Sequence, residues 1–277
     1  MPTQKLRRLT EILREDGPRT AFQSTSNFII SRADNQWNRI KNRIKYGKSY
    51  PDPYKLINID PNDVDWLIVP RYIKPDKYKT YIHAGDWDQT YSDEVVHYIG
   101  TSEGYDDRSS PKLINFENFT FYTSLESHFR DNVPWEETKI YDELMSSDIS
   151  SRYTGGDEIK ARLGELDVLY NQIDENGYMS QRQLQRENNS AFSVTEKNPP
   201  EKEEVLVNIG RDGEIIFCTG RHRFCVARIL GIDQIPSRVH VRHDRWQKYR
   251  HDVYNKSSKY RYTNKNSIDH PDMGDLI

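Results

Sequence analysis

A run of basic residues at the start of a predicted helix is the strongest chemical signal in the chain. It comprises Thr219, Gly220, Arg221, His222 and Arg223, within CTGRHRFCVARILG. The first N–H groups of a helix lack an acceptor one turn back, and the helix dipole makes that end positive. Basic side chains are unfavourable there unless an anion compensates them, although a solvated basic helix face is the alternative interpretation. The run predicts an anion site, and arginine suits it because its guanidinium binds phosphate with two hydrogen bonds.

Two aspartates form a second candidate, in HAGDWDQ at residues 83–89. In an extended chain Asp86 and Asp88 point to the same face. Two carboxylates on one face repel each other unless a cation or a substrate hydroxyl relieves them, and Mg²⁺ prefers oxygen ligands. The pair is therefore a candidate to bind magnesium or to orient a hydroxyl acceptor. The alternative is an Asx-type turn in which Trp87 packs as a core anchor.

The elements around the basic run follow from ordinary patterns. Two apolar strands are predicted in EVLVNIGRDGEIIFCTG. They are joined at Asp212-Gly213, a pair that favours a tight hairpin turn. RHRFCVARILG has helical spacing and ends at Gly231, and IPSRVHV resumes a strand. Upstream, the pattern of residues 157–178 predicts a longer helix that stops at Gly177. Where a strand leads through a glycine into a helix, the first backbone N–H groups of that helix point towards the same place.

This order of elements resembles the nucleotide-binding core of the ParB/sulfiredoxin-like superfamily. There, the second strand of a hairpin runs into G-x-[HR]-R at a helix start, and the helix is followed by an A…LG…IPV.V pattern. TGRHRFCVARILGIDQIPSRV matches it, and GELDVLYNQIDENGYMSQ matches the helix before the hairpin. The resemblance covers Glu158–Val241, less than a third of the chain. It implies that Gly220, Arg221, His222 and Arg223 hold the triphosphate of a nucleotide.

Departures from the superfamily's patterns indicate which activity to expect. Sulfiredoxins have a catalytic cysteine directly after the glycine, where this chain has Arg221. Chromosome-partitioning members use a Glu-Arg-Arg version and add a helix-turn-helix domain, which we do not expect after Val241. The sequence most resembles the small-molecule kinases of the superfamily, which have a DGHHR-like stretch where this chain has TGRHR. The resemblance thus implies ATP or a similar nucleotide, Mg²⁺ and a small hydroxylated acceptor such as a sugar, polyol or lipid head group.

Within that kinase hypothesis we assign catalytic roles to Asp86, Asp88 and His222. The two aspartates also serve as the magnesium ligands, and Thr219 joins the nucleotide-binding turn. Arg242 and His243 follow the last core strand, where an arginine or aromatic ring can stack on a base. Trp246 is expected to pack in the core instead.

Composition and charge limit the remaining possibilities. The chain has 277 residues, 30% of them charged, and a net charge of −3. No apolar run approaches the roughly 18 residues that span a bilayer, and no signal-peptide pattern starts the sequence. Two cysteines are too few for a disulfide framework or a zinc site of their own, which favours a reducing cytoplasm.

The charge is unevenly distributed along the chain. Residues 1–55 and 238–266 each carry a balance of +7, and residues 56–237 carry −14. The basic ends either pair with the acidic middle or bind nucleic acid or an anionic membrane. The second function hypothesis follows: a nucleotide-controlled module whose basic ends contact such a polyanion.

The fold class expected is α+β, a small mixed β-sheet with flanking helices. We expect a basic N-terminal elaboration over residues 1–60 and a core over 61–248. The core would contain a helical insertion at 91–157, which builds the acceptor side. A polar tail at 249–277 would be loosely ordered.

Overall fold

The computed structural model describes residue 40 and residues 43–50, 52, 54–69, 81–97, 110–146, 155–187, 200–255 and 269–276. The chain divides into two compact units, Met1–Asp52 and Pro53–Ile277. In the described part of the first unit, Gly47–Ser49 forms a 3-10 helix. The second unit contains the candidate functional residues.

The described residues of the second unit form one sheet of eight strands. Their bounds are β1 Leu56–Ile59, β2 Trp66–Val69, β3 Tyr81–His83, β4 Tyr91–Ser92, β5 Lys112–Asn115, β6 Val205–Ile209, β7 Ile215–Thr219 and β8 Ile235–His243. The order across the sheet is β1-β8-β6-β7-β2-β5-β4. β3 pairs with the last residues of β8, beyond those that pair with β1.

The strand directions create two distinct edges of the sheet. β2 and β7 are parallel neighbours, so both end beside the turn that follows Thr219. β3, β8 and β6 are also parallel neighbours, and they end at the opposite edge of the sheet, because β6 and β7 are antiparallel. Carboxyl ends of parallel strands are where open α/β sheets bind ligands. Both edges are therefore candidate binding sites.

Six α-helices lie in the described part of the second unit. They are α1 Thr120–Asp131, α2 Lys139–Ser146, α3 Gly156–Asn176, α4 Gln181–Arg186, α5 Arg221–Ile229 and α6 Asp244–Tyr254. α3 buries the apolar positions that recur at three- and four-residue spacing, namely Ile159, Leu163, Leu166, Leu169 and Ile173. Gly177, with φ of 76°, then ends the helix. The helix predicted within 157–178, the β6–β7 hairpin and the α+β class are confirmed.

The core lies on both faces of the sheet. The larger cluster contains the buried face of α3 and the aromatic residues Phe116, Phe217 and Phe224. A smaller cluster on the other face joins Ile68, Trp87, Leu113, Ile216 and Val241. Trp87 is 4% exposed, so the core-anchor interpretation of HAGDWDQ describes its packing. No helix in the described parts of the chain is both long and apolar enough to span a bilayer.

The expected segment boundaries differ from the structure in three places. β1 lies within residues 1–60 yet pairs with β8 as part of the sheet. Residues 91–157 supply β4 and β5 as well as α1 and α2, so this segment is part of the sheet and not only a helical insertion. The described part of 249–277 contains the end of α6 and the fully buried Asp272 and Met273. These differences arise because short strands and buried ion pairs leave no periodic pattern in the sequence.

Candidate functional site

The turn between β7 and α5, which we call the glycine turn, comprises Thr219–Arg223. Gly220 has φ of 97°, a left-handed conformation that side chains with a Cβ rarely adopt. A Cβ on Gly220 would lie 3.1 Å from the Cα of Val205 at the start of β6. The glycine is thus required by the backbone path and by close packing on β6, whether or not a ligand binds.

The first turn of α5 has the geometry of an anion site. No side chain caps it, and the first helical hydrogen bond runs from the Phe224 N–H to the Gly220 carbonyl at 3.1 Å. The backbone N–H groups of this turn point out of the helix beside the carboxyl ends of β2 and β7. A cavity of about 20 Å³ between Val69 and Arg221 is large enough for water only. A phosphate would therefore bind at the surface of the turn.

Arg221 and His222 pack against Phe121 of α1. The Arg221 guanidinium lies 5.5 Å from the ring centre, and the His222 ring contacts the same ring edge-on at 5.3 Å. Burial, with the nearby charges of Arg221 and Arg162, lowers the pKa of His222 to about 3. His222 is neutral at pH 7, so it can donate one hydrogen bond but cannot neutralise phosphate charge or serve as an effective general base.

Arg162, on α3, is a basic residue of this region that the sequence patterns did not identify. It lines a small cavity with His222 and also bonds Glu165 one turn along its own helix. From the sequence alone, the helical pattern predicts an ordinary solvent-exposed position for Arg162. Only the packing of α3 across the start of α5 places it near the glycine turn.

Arg223 is directed away from the glycine turn. Its guanidinium pairs with Glu204 at 3.2 Å, donates to the Met179 carbonyl and lies 4.3 Å from the centre of the Tyr178 ring. The residue is 8% exposed. This side chain fastens α5 to the segment before β6, and its donors are already engaged there. The expected role of Arg223 in gripping phosphate is not the one it has in this structure.

Asp86 and Asp88 both pair with Arg211, in the turn between β6 and β7. Asp88 is 2% exposed and accepts the Arg211 backbone N–H at 2.6 Å and the guanidinium at 2.7 Å. Asp86, whose side chain is 83% exposed, contacts the same guanidinium at 2.8 Å. Burial alone would raise the pKa of Asp88, but the Arg211 hydrogen bonds hold it below its usual value. The cation that relieves the two carboxylates is therefore Arg211.

The structure does not bring the aspartates and the glycine turn together. Asp88 is bonded to the hairpin before β7, whereas Gly220 follows the end of β7. A strand of five residues spans roughly 16 Å at about 3.3 Å per residue. The described residues include no cluster of three His, Cys, Asp or Glu side chains suited to a metal ion.

Arg242 and His243 also lie at the far edge of the sheet from the glycine turn. Arg242 is buried and forms two hydrogen bonds with Asp272, at 2.9 and 2.6 Å. His243 Nε2 donates to the Gly85 carbonyl at 2.8 Å, while Nδ1 accepts the Arg245 N–H. Both are fixed by internal partners, and neither lines the glycine turn. Trp246 is 2% exposed, which confirms its expected packing role.

Comparisons of the chain with protein-family models, with curated proteins and with solved structures found no match. The resemblance to the ParB/sulfiredoxin-like superfamily rests on the motif residues alone.

Proposed function

We propose that this protein is a nucleotide-binding module of the ParB/sulfiredoxin-like type, which holds phosphate groups at the glycine turn. The observation that carries the proposal is the first turn of α5, which no side chain caps and which lies at the carboxyl ends of two parallel strands. Arg221 supplies positive charge there, and neutral His222 supplies a hydrogen-bond donor. Backbone amides and a helix dipole bind phosphate without base-specific contacts.

Binding is better supported than phosphoryl transfer. A kinase needs a carboxylate that orients the acceptor or holds magnesium beside the γ-phosphate. Asp86 and Asp88 are engaged with Arg211 at the other end of β7. Of the described carboxylates near α5, Glu165 pairs with Arg162 and Glu204 pairs with Arg223. A kinase using ATP, Mg²⁺ and a hydroxylated acceptor is the alternative hypothesis, but the carboxylates expected to orient the acceptor or hold magnesium lie at the other end of β7.

The polyanion partner also remains part of the proposal. Arg238, Arg242 and Arg250, three cations of the basic stretch 238–266, are buried and form no basic surface. While these arginines are buried as in this structure, nucleic acid or an anionic membrane would have to contact other residues of the basic ends. A cytoplasmic location belongs to the same proposal, in keeping with the two buried thiols Cys218 and Cys225.

Isothermal titration calorimetry with ATP, ADP and GTP tests the proposal. Arg221→Ala should weaken nucleotide binding about tenfold or more, because a hydrogen bond to a charged group contributes about 1.5–3 kcal/mol. Arg245→Ala is the control, because Arg245 is an exposed arginine at the opposite edge of the sheet. A folded chain that binds no nucleotide would overturn the proposal. Incubation with ATP and a metabolite pool tests the kinase hypothesis, which requires a new phosphorylated species.

A further inference from the structure

A short C-terminal segment, residues 269–276, is held to the fold by buried ion pairs; we call it the clasp. Asp272 is fully buried in it. Its carboxylate accepts two hydrogen bonds from Arg242, one from the Trp246 indole at 3.0 Å, and pairs with Arg250 at 3.2 Å. Arg242 and Arg250 belong to β8 and α6, so a single carboxylate joins both elements.

Asp275 places a second carboxylate beside the first. It accepts two hydrogen bonds from Arg250, each at 2.9 Å, and pairs with Lys55 at 2.8 Å. The Lys55 ammonium also contacts the Asp272 carbonyl at 3.5 Å. Among the described residues, three cations from three separate parts of the chain thus surround these two adjacent carboxylates, which leaves one cation in excess.

This arrangement matches the way proteins hold phosphate groups. Guanidinium groups bind carboxylate and phosphate oxygens with the same paired donors. A buried arginine that loses a carboxylate partner is destabilising, so displacement of the clasp would favour another anion between Lys55, Arg242 and Arg250. The excess cation also favours a ligand with more negative charge than two carboxylates carry.

We propose that Lys55, Arg242 and Arg250 form a second anion site that Asp272 and Asp275 occupy in cis, and that a ligand with adjacent phosphate groups displaces the clasp. Thirteen residues separate Asn255, which follows α6, from Asp269. A tethered ligand competes at an effective concentration of millimolar order. The clasp therefore keeps the site closed until the phosphate ligand is abundant or the clasp is weakened.

Asp275→Asn is the variant that tests this proposal. It removes one charge from a side chain that is one-quarter exposed, and it leaves Asp272 in place. Asp252→Asn is the matched control, because Asp252 pairs with an exposed lysine on α6. Inorganic pyrophosphate is the probe, with hydrogen–deuterium exchange of residues 269–276 and calorimetry as readouts. We expect faster exchange in Asp275→Asn and at least tenfold tighter pyrophosphate binding than in wild type, lost again when Lys55→Gln is added.

Adding Arg221→Ala to Asp275→Asn distinguishes pyrophosphate binding at this site from binding at the glycine turn. The gain in pyrophosphate binding should be the same in the double variant. A single-stranded oligonucleotide in place of pyrophosphate shows whether the phosphates come from a small molecule or from a nucleic-acid backbone. Faster exchange in Asp275→Asn without any gain in anion binding would show that the clasp only closes the fold. If the variant does not fold, the wild-type protein is titrated with pyrophosphate to millimolar concentration. A hydrogen–deuterium exchange rate of residues 269–276 that does not change would likewise overturn the proposal.

Discussion

The carboxylate of Asp88 accepts the backbone N–H of Arg211 at 2.6 Å, and this bond ties the turn after β3 to the hairpin between β6 and β7. The same carboxylate accepts the Arg211 guanidinium. Asp88 is therefore a structural residue of the hairpin, and its carboxylate is directed away from the glycine turn at the other end of β7.

Asp88→Asn should destabilise the protein, whereas Asp86→Asn should hardly change its stability. The buried Asp88 loses charge-assisted hydrogen bonds, which we expect to cost about 1.5–3 kcal/mol. Asp86 is exposed, and an exposed ion pair contributes less than about 1 kcal/mol. Urea denaturation measures the free energy of unfolding of the two variants. The nucleotide affinity of each variant should equal that of wild type. Loss of nucleotide binding in a stable Asp86→Asn variant would contradict the structural assignment.

Arg223→Ala should act on stability, not on nucleotide binding. The substitution leaves Glu204 buried without its cation, which costs about 3 kcal/mol. Arg182→Ala is the matched control, because Arg182 pairs with Glu201 while largely exposed and should cost less than about 1 kcal/mol. Thermal unfolding and calorimetry on the same samples separate the effects. An Arg223→Ala variant that keeps its stability and loses nucleotide affinity would place Arg223 on the phosphate after all.

Gly220→Ala should be more damaging than Gly231→Ala. Both glycines have positive φ, and a non-glycine residue there costs about 1–2 kcal/mol. Only at Gly220 does the added Cβ also approach the backbone of Val205, at 3.1 Å, whereas Gly231 has open space around it. The free energy of unfolding of the two variants gives the comparison. Equal destabilisation would show that the contact with β6 is easily relieved.

The low pKa of His222 predicts a specific pH dependence of stability. Unfolded histidine titrates near 6.5, whereas His222 in the fold stays neutral down to about pH 3. Between these values the unfolded state binds the proton, so the stability present above pH 6.5 is lost as the pH falls towards 3. His222→Gln should therefore lose less stability than wild type between about pH 7 and pH 5, by on the order of 1 kcal/mol. Parallel pH profiles of the two proteins would contradict this buried, neutral state.

The sequence predicted the local structure of the glycine turn well. Apolar spacing located α3 and α5, and Asp212-Gly213 located the hairpin, because these signals depend on residues close along the chain. β1 was missed, since four residues in a polar region carry too little pattern to identify a strand.

The partners of the charged side chains could not be predicted in the same way. Arg221 and Arg223 are two residues apart, yet one lies at the turn and the other pairs with Glu204. Arg211 looked like an ordinary hairpin residue, and Asp272 lies 30 residues from Arg242. Such pairings depend on tertiary packing between distant segments, which neither periodicity nor composition records.

A crystal structure of the protein with bound nucleotide tests the proposed phosphate site at the glycine turn most directly. We expect phosphate oxygens within hydrogen-bond distance of the backbone N–H groups of Arg221, His222 and Arg223, with the Arg221 guanidinium alongside. Asp86 and Asp88 should remain paired with Arg211. A nucleotide whose phosphates lie beside Asp86 and Asp88, with the glycine turn empty, would contradict the proposed site.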